Sequence, residues 1–174
     1  QALAASGAVA GLCPQTEANL GDGIFDGAAY LAAGGRFGIG TDSHIRVDVA
    51  EETRTLEYSQ RLRDRARNVL AGDGHSTGRR LYGDALTGGA QALARKTGSL
   101  AAGHIADIVA LDPDHPVLVG RSGDRLLDSW LFSGDRSCVE RVWVAGRKVV
   151  SEGRHVGRDR NAPRFAAAMR RLAQ

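Results

Sequence analysis

Acidic and imidazole side chains stand close together in one short stretch of this chain, residues 38–44, with the sequence Gly-Ile-Gly-Thr-Asp-Ser-His. The residues before Asp42 are small or apolar, as in a buried parallel strand, and ligands bind beyond the carboxyl ends of such strands. Alternation along an extended chain would direct Asp42 and His44 to one side and Ser43 to the other. The stretch is typical of a site at a strand end, and equally of an Asp that caps the next helix followed by a loop His.

Two short apolar runs supply the strands that would position these residues. The first run ends at Pro14, which lacks the N–H that a β-ladder needs, and the glycines on either side of Asp22 favour a turn with positive φ. Asp26 is placed to cap a helix and Gly34 to end it. The predicted order is a strand over 8–13, a loop over 14–23, a helix over 24–33 and a strand over 36–41. This order predicts a parallel βαβ unit with a right-handed crossover.

Beyond residue 44 the apolar spacing predicts two helices, and beyond Thr97 it changes to short β-runs. The predicted elements are a helix over 49–70 that ends at 72–74, a helix over 79–95 with closely packed or interrupting glycines, a strand over 105–112, a hairpin over 138–150 that bends at 145–146, an extension over 151–155 and a helix over 161–174. The change near Thr97 divides the chain into three expected parts, which are 1–96, 97–160 and 161–174.

The balance of 23 Lys and Arg against 20 Asp and Glu gives a net charge of +3, and the basic residues are mostly Arg. They concentrate in residues 61–67 and near the C-terminus, among acids that include Glu52 and Glu57. Glu57 and Arg61 stand at i,i+4, the spacing that pairs opposite charges on a helix. The pattern favours a solvated, salt-bridged helix face over a nucleic-acid surface, which would need a basic face interleaved with aromatic residues.

The two cysteines, Cys13 and Cys138, lie far apart and form no Cys-x-x-Cys unit, so neither a disulfide framework nor a structural zinc knuckle is expected. Residues 1–10 are small and weakly apolar, unlike a secretory segment, and no run approaches the roughly 20 apolar residues of a membrane helix. We therefore expect a soluble, cytoplasmic protein without a membrane or nucleic-acid partner.

Four motifs together resemble those of deaminases in the amidohydrolase superfamily, and the resemblance covers essentially all 174 residues. They are a strand ending in Cys-Pro, an Asn-Leu-Gly-x-Gly loop, a strand end of Gly-x-Gly-Thr-Asp, and the segment 98–109, Gly-Ser-Leu-Ala-Ala-Gly-His-Ile-Ala-Asp-Ile-Val. Within the superfamily, residues 16–25, 42–44 and 56–62 resemble the N-formimidoyl-L-glutamate deiminase family, whose members act in histidine degradation.

This resemblance implies an α/β fold: the C-terminal part, about strands 7 and 8, of a (β/α)8 TIM barrel, followed by part of an accessory β-sandwich and a C-terminal helix. It also implies one zinc ion, held by a His-x-His pair, a further His and an Asp at the carboxyl ends of the strands. Asp42 matches the last position, which makes it a metal ligand and the catalytic base toward the attacking water. The implied reaction converts N-formimidoyl-L-glutamate and water to N-formyl-L-glutamate and ammonia.

The number of available ligands limits what this chain does alone. A catalytic zinc needs about three protein ligands, and a complete barrel needs roughly 250 residues. The five histidines form no His-x-His pair; they are His44, His75, His104, His115 and His155. We therefore expect a fragment that is inactive alone, with the small-molecule substrate and the other ligands bound by the remainder of the same enzyme. The family resemblance also implies a homodimer.

Other candidates surround Asp42, each with a plainer alternative. Glu17 and Asn19 follow the preceding strand and are expected to touch substrate or support the metal ligand, or else to stabilise their loop. Ser43 and His44 are candidates by adjacency. Arg46 is close enough to clamp a substrate carboxylate, although a lone loop Arg is more often solvated.

Two other functions stay open at this point. One is a deaminase of the same superfamily that acts on a guanine-like or cytosine-like ring. The other is a non-catalytic scaffold piece whose β-structure over 105–150 supports assembly.

Overall fold

The computed structural model describes residues 1–72 and 74–173, so Asp73 and Gln174, which fall within two predicted elements, lie outside the described residues. The helices are α1 Ala2–Ala5, α2 Pro14–Leu20, α3 Gly27–Ala32, α4 Val49–Asp64, α5 Thr77–Ala92, α6 Gly123–Ser133 and α7 Arg158–Leu172. The strands are β1 Val9–Leu12, β2 Arg36–Ile39, β3 Ile108–Leu111, β4 Val139–Val144, β5 Arg147–Ser151 and β6 Arg154–His155.

The predicted βαβ pairing is confirmed, because β1 and β2 pair in parallel from Val9 opposite Arg36 to Leu12 opposite Ile39. Helix α5 packs on this strand pair. Its residue Gly88 lies so close to the Phe37 carbonyl that an added Cβ would overlap the oxygen. Glycine weakens a helix, yet here its missing side chain allows the close approach, and α5 is continuous through it.

The predicted loop over 14–23 is wrong over its first part, because α2 begins at Pro14. Proline suits the first helical position, where no N–H has an intrahelical partner, and the Glu17 carboxylate accepts the Cys13 N–H at 2.7 Å. The predicted turn beyond the helix is confirmed, with φ of +75° at Gly21 and +96° at Gly23.

Helix α3 has the predicted Asp26 cap, whose carboxylate accepts the Ala29 N–H at 3.3 Å. Helix α4, by contrast, ends at Asp64 and not near residue 70, because Arg65 adopts a left-handed φ of +52°. The chain then folds back so that Leu70 is buried in the same core as Leu56. Leu70 therefore still reaches the core although the helix stops, whereas Leu62 of the same predicted apolar face is 81% exposed.

The solvated face predicted for α4 is wrong for two of its acids, since Glu52 and Glu57 are fully buried, whereas Asp64 is exposed and lies 2.6 Å from Arg63 Nε. The predicted pair is present, with Arg61 Nε 2.6 Å from Glu57 Oε1, but it closes over the core and not over solvent. The buried face of α4 is mostly polar, with Ala50, Glu52, Thr53, Leu56, Glu57 and Gln60.

The second half of the chain forms an antiparallel sheet in the order β3-β4-β5-β6, with the predicted hairpin bend at Ala145–Gly146. Helix α6 was not predicted, and it packs against both α4 and α5. Its Trp130 and Leu131 share a buried cluster with Ala50 and Cys138. Hydrophobic packing therefore crosses the expected boundary near Thr97, and the three-part division stays a prediction.

The closing helix α7 begins at Arg158, earlier than predicted, and carries Pro163 in its interior. None of its residues is buried, so Phe165 and Met169 are exposed. Across the part of the chain that the structure describes, no helix is long and apolar enough to cross a membrane.

Candidate active site

The carboxyl ends of β1 and β2 lie side by side, and the Gly40 N–H donates to the Leu12 carbonyl at 2.9 Å beyond the last strand pair. Cys13 follows one strand end and Asp42 follows the other. Both residues therefore lie at the edge of the sheet where α/β proteins bind their ligands.

Asp42 occupies a tight turn in which the His44 N–H donates to the Thr41 carbonyl at 2.9 Å. Its φ is +48°, in the left-handed region that Asp tolerates better than most residues. Such backbone outliers cluster at functional sites. Its carboxylate is exposed, and no donor among residues 1–72 and 74–173 lies within hydrogen-bond distance of it. Asp42 is thus held by its backbone and leaves its side chain free for a ligand.

One expectation about Asp42 loses its basis, and one alternative is wrong. The strand ends at Ile39, so the alternation argument that directed Asp42 and His44 to one side does not apply within the turn. The helix-cap alternative fails because Asp48 caps α4, accepting the N–H groups of Ala50 and Glu51 at 2.8 and 3.4 Å.

A buried threonine, which the sequence did not single out, supports this turn from α2. The Thr16 hydroxyl donates to the Thr41 carbonyl at 2.9 Å, so this carbonyl accepts from both Thr16 and His44. A hydroxyl two residues after the Cys-Pro strand end is the only sequence signal that could have indicated it. The first turn of α2 therefore restrains the peptide that precedes Asp42.

The predicted candidates on α2 differ in their surroundings. The Glu17 carboxylate accepts the Cys13 N–H, so it stabilises the start of its own helix, as the plainer alternative held. Asn19 lies exposed in the last turn of α2. The structure thus brings Glu17 next to the strand end but gives Asn19 no contact that fixes its direction.

Glu52 enters this region from α4, and sequence reasoning missed it as a site residue. Its Oε2 accepts the Gln15 N–H at 2.9 Å, while Oε1 is buried and has no partner among the described residues. Burial raises the pKa of the Glu52 carboxyl, and the Gln15 N–H and the nearby charge of His44 oppose that rise.

The Cys13 thiol shows how closely the acids converge. Burial is the largest cause of its raised pKa, and the negative charges of Asp42, Glu52 and Glu17 raise the pKa further. Three carboxylates around one thiol produce a negative potential that attracts cations. No three His, Cys, Asp or Glu residues in the described ranges are arranged to hold a metal ion, so this strand end offers the exposed Asp42 carboxylate but not a complete metal site.

The remaining candidates lie in the turn and loop after β2. His44 is half-buried, and its Nδ1 accepts the Arg46 N–H at 3.2 Å. Ser43 is exposed. The Arg46 guanidinium donates from Nε to Glu51 at 2.7 Å, so its charge already has a partner. This pairing favours a structural role for Arg46 over a clamp on a substrate carboxylate.

Three comparisons with known proteins agree on the family. Residues 2–149 match the amidohydrolase family, and the chain belongs to it. The chain is 55% identical over 172 residues to the formimidoylglutamate deiminase of Pseudomonas aeruginosa, covering 98% of this chain and 38% of that protein. It is 34% identical over 158 residues to a 5-methylthioadenosine/S-adenosylhomocysteine deaminase of Natronomonas pharaonis, covering 88% of this chain and 34% of that protein.

The solved structures agree. An amidohydrolase from Brucella melitensis superposes with a TM-score of 0.89 at 46% identity, covering 99% of this chain and 38% of that one. An adenosine deaminase from Xanthomonas campestris with bound zinc superposes with a TM-score of 0.76 at 24% identity, covering 94% of this chain and 36% of that one, and shows the same fold. The chain thus spans well under half the length of the relatives that it matches.

Proposed function

We propose that this chain supplies the carboxyl-terminal part of a zinc-dependent deiminase that hydrolyses N-formimidoyl-L-glutamate to N-formyl-L-glutamate and ammonia. The 55% identity to the Pseudomonas deiminase over nearly the whole chain supports the substrate, since the ring deaminase of Natronomonas is only 34% identical. Because the chain matches 38% of the Pseudomonas protein, the activity belongs to a polypeptide that also contains the other barrel strands.

The observation that carries the proposal is the free Asp42 carboxylate on its left-handed turn at the end of β2. We assign Asp42 as one ligand of the zinc and as the group that takes and returns a proton. When bound, zinc lowers the pKa of water to near 7, which supplies a nucleophile at neutral pH. An exposed carboxylate with no hydrogen-bond donor of its own can ligate zinc, which accepts Asp and Glu oxygens as well as His and Cys, and the acids around Cys13 add to the negative potential there.

In this proposal β1 and β2 are about the seventh and eighth strands of a TIM barrel. Their parallel pairing supports that assignment, and so does the packing of α5 across both strands. The sheet from β3 to β6 would be part of an accessory β-sandwich. The other metal ligands and the residues for the glutamate carboxylates would come from the missing strands.

A chimera tests whether this chain can fill that role. The matching 172-residue stretch of the Pseudomonas deiminase is replaced by this chain, and zinc content and ammonia release from N-formimidoyl-L-glutamate are measured. We expect about one zinc per chain and turnover within tenfold of the parent enzyme. A folded chimera that binds no zinc and releases no ammonia would instead favour the scaffold alternative.

Substrate class is tested separately, on the complete polypeptide that contains this chain. Ammonia release is compared among N-formimidoyl-L-glutamate, guanine, cytosine and 5-methylthioadenosine. We expect release from the first compound only. Release from a ring substrate without release from N-formimidoyl-L-glutamate would replace the proposed reaction with a ring deamination.

A further inference from the structure

A continuous path of hydrogen bonds runs from α4, through the start of α2 just after β1, to the peptide before Asp42 just after β2. The Glu52 carboxylate accepts the Gln15 N–H at 2.9 Å, in the first turn of α2. The next residue, Thr16, donates its hydroxyl to the Thr41 carbonyl at 2.9 Å. That carbonyl belongs to the peptide that leads into Asp42.

We propose that Thr16 and Glu52 are positioning residues for Asp42. Glu52 fixes the first turn of α2 on α4, and the Thr16 hydroxyl then holds the carbonyl that precedes Asp42. The inference rests on the proposed function, because it assigns a role toward the same metal ligand.

The Thr16 hydroxyl bonds the backbone next to a residue with an unfavourable conformation. The Asp42 φ of +48° is a conformation that few non-glycine residues adopt, so it persists only when neighbouring groups restrain it. The turn offers one restraint of its own, the His44 N–H on the Thr41 carbonyl. Thr16 is buried, so water cannot easily take the place of its hydroxyl.

The Glu52 carboxylate holds the helix that carries Thr16. Helix α2 has seven residues, too few to be stable alone, and its start is attached to α4 by Gln15. The Gln15 N–H bonds Glu52, and its side-chain amide donates to the Glu51 carbonyl at 3.4 Å and to the Thr55 hydroxyl. Glu52 is 0% exposed, so its removal would leave the part-buried Gln15 N–H without its acceptor.

The unpartnered Glu52 Oε1 distinguishes this carboxylate from a purely structural one. A buried acceptor without a donor is rare in a finished protein and calls for an explanation. We attribute it to the position of Glu52 beside the two strand ends, where its Oε2 already holds the Gln15 N–H.

Zinc retention in the complete enzyme tests the role of Thr16. Thr16→Val replaces the hydroxyl with a methyl group of similar size, and Thr16→Ser restores the hydroxyl. We expect Thr16→Val to weaken zinc affinity and to lower kcat by about tenfold each, with KM within about twofold, because supporting contacts of this kind are worth 10- to 100-fold. Thr16→Ser should recover both quantities to within about threefold.

The matched control is Thr87→Val, since the Thr87 hydroxyl also donates to a backbone carbonyl, that of Gly83, but at an exposed position of α5. It should change neither zinc affinity nor kcat. If Thr16→Val is folded and holds zinc as tightly as the parent, the role of Thr16 is overturned. If Thr16→Val does not fold, equal zinc affinity of Thr16→Ala and Thr16→Ser would overturn it.

Glu52 gives an independent test. Glu52→Gln keeps an oxygen that can accept the Gln15 N–H, whereas Glu52→Leu does not, so we expect zinc affinity to fall by about tenfold in the Leu variant only. Unchanged affinity in Glu52→Leu would overturn its role. Asp42→Asn distinguishes failure of the positioning role from failure of the proposed function. If Asp42→Asn loses zinc while the Thr16 and Glu52 variants keep it, only the positioning role fails. If Asp42→Asn keeps zinc, the proposed function fails.

Discussion

Glu52 and Glu57 lie on the same helix and both are fully buried, yet their carboxylates meet different surroundings. Glu52 accepts one hydrogen bond and leaves Oε1 unpartnered. The Glu57 carboxylate accepts three hydrogen bonds, from Arg61 Nε at 2.6 Å and from the N–H groups of Val69 and Leu70 at 3.0 and 2.9 Å. One carboxylate is satisfied by its own segment of chain, and the other is only half satisfied.

Under the proposed positioning role of Glu52, one buried acid serves the fold alone and the other also serves the site. Glu57 holds the segment after α4 against the helix, so that Leu70 enters the core. Glu52 lies beside the two strand ends, where its Oε2 accepts the Gln15 N–H in the first turn of α2. A half-satisfied carboxylate destabilises the fold, and such groups are retained where they serve a site.

The largest expected effect comes from Glu57→Ala. It leaves Arg61 and two backbone N–H groups without their acceptor, and removing one partner of a buried charged pair costs about 3–5 kcal/mol. Denaturant unfolding of the complete enzyme measures the change. Asp84→Ala is the control, because its pair with Arg80 is partly exposed and should be worth less than about 1 kcal/mol. Equal losses in the two variants would remove the contrast between buried and surface pairs.

Arg61→Lys tests how much the buried Glu57 carboxylate depends on the shape of its cationic partner. The Arg61 guanidinium lies 5.2 Å from the Tyr58 ring centroid and 5.1 Å from that of Phe132, and it also donates to Glu57. Lysine keeps the charge but loses the planar stacking and the directed Nε–H. We expect a loss of about 1–2 kcal/mol of unfolding free energy. A neutral result would mean that charge alone satisfies Glu57.

The smallest effect is the pH dependence of Glu52. Its pKa is higher in the folded state than in the unfolded state, so folding favours the protonated carboxyl. Its contribution to stability is therefore greatest below the ordinary glutamate pKa of about 4.3 and declines as pH rises through the raised value. Glu52→Gln does not titrate, so it should gain stability relative to the parent as the pH rises above the ordinary glutamate pKa of about 4.3. Parallel stability curves would contradict the raised pKa.

Local signals in the sequence were enough for the elements that position the site. Alternating or continuous apolar runs indicated β1, β2 and the β4–β5 hairpin, and Asp26 indicated its own helix start. These signals act within a few residues, so tertiary packing does not override them. The strand end before Asp42 was predicted for the same reason.

The features that the sequence did not predict depend on contacts between distant segments. Helix α4 presents Thr53, Leu56, Glu57 and Gln60 at helical spacing to the core, but three of these four are polar, so hydropathy gave no signal for the buried face. Helix α2 was missed because turn residues surround it. The left-handed φ of Asp42 and the Thr16 contact follow from the pairing of two strand ends, which a single stretch cannot reveal.

Other expectations stay predictions. They are the homodimer, the cytoplasmic location, the three-part division at 97 and 161, and substrate contacts by Asn19, Ser43 and His44. The Glu17 carboxylate has a structural role in capping α2, so a substrate contact would have to use its second oxygen.

Asp42→Asn in the complete enzyme tests the central claim most directly. The change keeps the size of the side chain and its tolerance of a left-handed φ but removes the anionic ligand and the base. Zinc per chain is measured after dialysis against a chelator, and ammonia release from N-formimidoyl-L-glutamate is measured on the zinc-loaded variant. We expect zinc to be lost and turnover to be abolished. Near-normal zinc retention and turnover would contradict the assignment of Asp42.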